Sequence, residues 1–165
     1  MMATLRNFVR RFRRDTDGAA LVEFALVLPI VLLFFAVTIE SARLMWSYQA
    51  TIAGVRDATR YVGRVVPSSI CNDGGDIDDM ETRVTDIVRN SASGRALFPS
   101  TITVDQVVPV LTCHTGDYRL AVTPVATVTA DLTITWPMAG IFSLFGFSLP
   151  ETRTQVADTG RVFGA

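Results

Sequence analysis

Apolar and polar positions change their spacing along the chain, and each change marks an element. From Ala19 to Ile39 the residues read AALVEFALVLPIVLLFFAVTI, an apolar run with one acid in it. At 1.5 Å per residue a helix of this length crosses roughly 30 Å of hydrocarbon, so the run is expected to span a bilayer. Past Ile39 the apolar residues Leu44, Tyr48, Ile52, Val55, Thr59 and Val62 recur at three- and four-residue intervals, with Glu40, Arg43, Ser47, Asp57, Arg60 and Arg64 opposite them. The reading is one helix from Ala19 to Val62, apolar all round in its first half and amphipathic in its second, with Pro29 as a place for a kink.

Gly63 to Gly75 carries Pro67, paired serines and Asn-Asp-Gly-Gly, which suit a connector. A second helix is expected from Asp78 to Ala92, with Asp78 and Glu81 spaced as a capping box and Met80, Val84, Ile87 and Val88 as its apolar face. After Pro99 the period falls to two. Ile102, Val104, Val108 and Val110 suggest a strand or an interrupted pair, and Pro109 argues for an edge or a bulge. Leu120, Val122, Pro124, Ala126, Val128, Ala130, Leu132, Ile134 and Trp136 alternate with mostly polar residues, the pattern of a sheet with one dry face, which Pro124 is placed to divide in two. A compact apolar segment from Trp136 follows, and Thr152 to Asp158 forms a last strand. The fold class is α+β.

Charge adds orientation. Arg6, Arg10, Arg11, Arg13 and Arg14 precede the apolar run, and everything after Gly18 is net acidic. By the positive-inside rule the N-terminus is cytoplasmic and the C-terminal part exported. The run exceeds a typical signal core and has no convincing small-x-small cleavage site after it, so a cleaved secretory signal fits poorly. The acidic remainder does not support a nucleic-acid-binding surface. The domains are then a basic leader over 1–18, a transmembrane half-helix over 19–39, an exported amphipathic half over 40–63 and a small α+β domain over 64–165.

Candidate chemistry is sparse. Cys71 and Cys113 both fall on the exported side, where an oxidising compartment allows a disulfide; two unpaired thiols are the alternative. His114 has no partner constellation for catalysis. Asp73, Asp76, Asp78, Asp79 and Glu81 do not follow the calcium-loop spacing and read as a solvated helix start. Neither a metal site nor a cofactor site is expected. For Trp136, Phe142, Leu144, Phe145 and Phe147 two readings stand: filling of the core, or a membrane-proximal or subunit-contact patch.

Glu23 remains. A carboxylate at membrane depth is costly, so it calls for a partner. Gly18, then Ala19-Ala-Leu-Val, then Glu23 and Phe24, behind a basic leader, resembles the processing region of type IVb prepilins and, more closely, of TadE-like pseudopilins of tight-adherence (Tad/Flp) pili. That resemblance implies a pilin-like fold and cutting by a prepilin peptidase between Gly18 and Ala19. It further implies subunit assembly through Glu23 and Phe24, and partners among other pilins or pseudopilins and the Tad inner-membrane machinery. The location it implies is the bacterial inner membrane, single-pass. Major pilins of this class are far shorter, so the chain resembles a minor pilin; TadF-like proteins share the layout, and TadG-like ones are much longer. The implied role is structural, not enzymatic. The rival expectation is a membrane-anchored binding module whose span is only a tether.

Overall fold

The computed structural model describes residues 17–90, 98, 101–117 and 121–164; the leader arginines, Ala92, Pro99 and Leu120 lie outside the described residues. Helix α1 (Asp17–Val65) is followed by a short α2 (Ile70–Asp73). A 3-10 turn (Asp78–Met80) then runs into α3 (Glu81–Arg89), and after it come β1 (Ile102–Thr115), β2 (Val122–Ile134), the short α4 (Ala139–Ser143) and β3 (Thr152–Arg161). The strands form one antiparallel sheet in the order β1-β2-β3. Helices α1 and α3 pack together, α1 against β2 and β3 and α3 against β1, and the core lies between helices and sheet.

The 49 residues of α1 form a single helix that runs through Pro29. Its first half is exposed and apolar, and its second half is buried along one stripe that takes in Ser47, Thr51, Val55, Ala58, Thr59 and Val62. Ser47 had been assigned by its polarity to the solvent face; the structure buries it. The reason is local. The hydroxyls of Ser47, Thr51 and Thr59 donate to the carbonyls of Arg43, Ser47 and Val55, four residues back, at 2.9, 2.8 and 2.9 Å, so each brings its own acceptor into the core. Small residues on the stripe also let elements approach closely. A Cβ at Gly54 would lie 3.1 Å from the Val88 backbone, so α3 rests directly on α1 there.

The expected capping box is not formed, since neither Ile77 nor Met80 at the turn and helix starts is joined by a side-chain cap. The Asp78 amide instead donates to Asp76 Oδ1 at 3.2 Å, two residues earlier, and a 3-10 turn precedes the α-helix. On β1 the inward positions also differ from expectation. The register slips between Val104 and Gln106, leaving Asp105 as a bulge. Parity inverts beyond it, so Val107 and Pro109 face the core while Val110 is exposed. Arg89, in the last turn of α3, closes the bulge by donating to the Val104 carbonyl at 3.1 and 2.6 Å and to the Asp105 carbonyl at 3.0 Å.

The alternation of β2 appears as read, with Ala126, Val128, Ala130, Leu132 and Ile134 buried. Pro124 does not divide the strand. It pairs with Cys113, and its carbonyl accepts from the Val162 amide at 3.0 Å just as β3 ends, so its missing N–H falls where the ladder is finishing. The outer face is polar and cross-linked between strands. Asp105 accepts from Thr103 and Thr133, Asp131 from Gln155, and Thr127 meets Thr159.

Cys71 and Cys113 form a disulfide, Cα to Cα 5.8 Å, that ties α2 to the far end of β1. The Phe163 amide donates to the Gly63 carbonyl at 2.8 Å and the Ser68 amide to the Gly164 carbonyl at 3.0 Å, so the last residues are held against the end of α1. The bridge closes a loop of 42 residues, and chain entropy for such a loop amounts to on the order of 3 to 4 kcal/mol. A Cys71→Ser, Cys113→Ser protein should therefore keep the fold but lose about 2 to 4 kcal/mol of stability, which urea unfolding in detergent followed by circular dichroism will measure.

Candidate assembly helix and its attachment

Gly18 lies in the first turn of α1, and a Cβ added there would meet no atom within 4 Å. Glycine at a helical position lowers stability by roughly 0.5 to 1 kcal/mol relative to alanine, and nothing in the packing or the backbone of this fold requires it. Ala19, Glu23 and Phe24 follow on the same exposed stretch. Among the described residues no cation lies within ion-pair distance of Glu23. Gly18, Ala19, Glu23 and Phe24 thus lie together on an exposed helix end, without an ion-pair partner among the described residues.

The first polar residue after the apolar run behaves differently. Glu40 is 5% exposed and makes two contacts, one to Arg43 on its own helix and one to a distant backbone amide. Its Oε2 lies 3.3 Å from Arg43 Nη1, its Oε1 accepts from the Met138 amide at 2.8 Å, and Arg43 in turn donates to the Thr101 hydroxyl. A turn of backbone from the segment between β2 and α4, and the residue preceding β1, are therefore both fastened to α1 at the end of its apolar half. A buried carboxylate is tolerable when its oxygens are met by a cation and an N–H, and both are supplied here. Further along, the Tyr48 hydroxyl meets the Thr154 hydroxyl of β3.

The apolar segment after β2 forms a closed loop. The Trp136 indole N–H donates to the Pro150 carbonyl at 3.0 Å, joining the two ends. Between them α4 packs on α1 and Gly146 turns the chain at φ 81°. Trp136, Phe142 and Phe145 are half-buried, whereas Leu144 and Phe147 are exposed. None of the five is in the buried core, although Trp136 packs against its margin.

Residues 18–60 match the family model described as TadE-like protein. The N-terminal helix is TadE-like. The match begins at Gly18 and takes in Glu23, Phe24, Glu40 and Arg43, ending at Arg60 inside α1. No curated protein and no solved structure matches the chain. Among the described residues α1 alone is long and apolar enough to cross a membrane, which suits anchoring there.

The TadE-like helix holds two residues whose importance polarity concealed. Polarity alone places Glu40 and Arg43 opposite the apolar stripe, because charged side chains are usually exposed. Their spacing carried a signal: Glu40 stands four residues after Ala36 and seven before Ser47, on one helical stripe. Two of the acidic residues serve local structure, with Ser69 donating to Asp73 Oδ2 at 2.7 Å and the Asp78 amide donating to Asp76 Oδ1. No described group of His, Cys, Asp and Glu could hold a metal ion.

Glu40→Ala leaves the half-buried Arg43 guanidinium and the Met138 amide without their acceptor and should lower stability by about 1 to 3 kcal/mol. Glu40→Gln keeps an acceptor for Met138 and should cost less. Urea unfolding of the two variants in detergent checks the order.

Proposed function

We propose that the chain is a minor pilin or assembly pseudopilin of a tight-adherence pilus, cut by a prepilin peptidase between Gly18 and Ala19 and assembled through its N-terminal helix. The carrying observation is a glycine at the helix start that the described packing does not need, five residues before an acid that has no ion-pair partner among the described residues, both inside the TadE-like match. A peptidase must reach the backbone at the cut. Glycine at the fraying end of a helix unwinds at little cost and offers no side chain to obstruct access.

After the cut, Glu23 lies about one turn from the new amino terminus, where the helix dipole favours an acid by roughly 0.3 to 1 kcal/mol. In lipid, its natural counter-charge is the terminal ammonium of a neighbouring subunit. Pairing relieves two desolvated charges and penalises any register that leaves them apart. The arginine leader sets the N-terminus in the cytoplasm before processing, and the small domain stands on the exported side, where its disulfide is stable. The role is structural, and the partners are the peptidase, other pilins or pseudopilins and the inner-membrane assembly machinery.

Mass spectrometry of the protein from its native host should find Ala19 at the N-terminus, and Gly18→Ser should leave the leader attached. Glu23→Ala should be cut normally, yet recover other pilus components from membranes about tenfold less well, the effect of losing about 1.4 kcal/mol of association. An intact leader on a protein that supports normal pili removes the processing step; normal recovery with Glu23→Ala removes the charge pairing.

A further inference from the structure

We propose that the loop from Trp136 to Pro150 is a second membrane contact, lying in the headgroup and upper acyl region of the leaflet from which α1 emerges. Its height is set by the protein. The Met138 amide is bonded to Glu40, the residue directly after the apolar run, and α4 packs on α1 beside it. Ala36, one turn below Glu40 and inside that run, is 1% exposed. Covering it requires protein below the end of the span, so part of the domain already stands at lipid depth.

The chemistry of the loop suits that depth. Residues 136–150 contain no charged side chain. Leu144 is 82% exposed and Phe147 58% exposed, although a soluble surface disfavours such a cluster. The backbone at this depth is closed on itself, by the Trp136 indole on the Pro150 carbonyl and by turns of helix through α4, so few polar groups are offered to lipid. Trp46, six residues beyond Glu40 on α1, is also exposed, as aromatic residues are near a membrane boundary.

Lipid is favoured over a second copy as the occupant, because the loop is fastened to α1 where its exposed apolar run ends. Any protein partner would have to displace lipid already in contact with that surface. The inference rests on the reading that α1 spans a bilayer, and its test separates the two.

Single cysteines for spin labelling are placed by Leu28→Cys, Leu144→Cys, Phe147→Cys and Asp57→Cys in the full chain with the disulfide intact, one copy per phosphatidylglycerol-phosphatidylethanolamine nanodisc. Relaxation by oxygen, which partitions into lipid, is compared with relaxation by a water-soluble nickel chelate. The oxygen-to-nickel ratio at positions 144 and 147 is expected to exceed that at 57 several-fold and to fall below that at 28. Ratios at 144 and 147 equal to that at 57, with 28 lipid-like, overturn the second contact and leave the span standing. A water-like 28 overturns both. Protection of 144 and 147 from both reagents shows cover by protein and overturns the assignment to lipid.

Discussion

The hydrogen bond from the Met138 amide to Glu40, backed by the Arg43 guanidinium, joins the domain to its helix at the residue where the apolar run ends. Everything above that point packs as an ordinary two-layer α+β domain; below it α1 is apolar and mostly exposed. A helix that serves two surroundings needs a marker for the change, and a desolvated acid is a sharp one. It loses the Met138 amide if the domain slides by a turn in either direction, whereas an apolar contact would tolerate the slip. Polar specificity and apolar adhesion are divided between adjacent turns of one helix.

The long elements were legible because their periodicity is strong. The 3.6-residue pattern of α1 and the two-residue alternation of β2 each extend over more than ten positions, and the structure follows both. Errors arose where one residue alters the pattern for its neighbours. Asp105 slips the register of β1 and turns Val110 outward, an event with no trace in hydropathy. Ser47 and Glu40 were misplaced for a common reason: polarity records what a side chain needs, and both needs are met inside, one by the residue's own helix and one by a distant amide. The Gly18 to Phe24 motif differs from these, since the cutting and pairing proposed for it call for no tertiary contact within the domain.

The domain is fastened at several heights. The residues after β3 hold the end of α1, the disulfide ties α2 to β1 just beyond it, Gly54 admits α3 midway, and Glu40 secures the base. Valine and alanine supply most of the buried surface. Their short side chains leave little tolerance for movement between layers, so the amphipathic half of α1 and the sheet form one body.

That rigidity makes α1 a lever. From Glu40 to Val65 the helix rises roughly 37 Å, so a change of about 10° in its inclination displaces the far end by about 6 Å. Because the sheet is fused to the same rod, a small rotation imposed at the base is delivered to the whole domain as a translation. A force applied at the outer tip is likewise returned to the base with mechanical advantage.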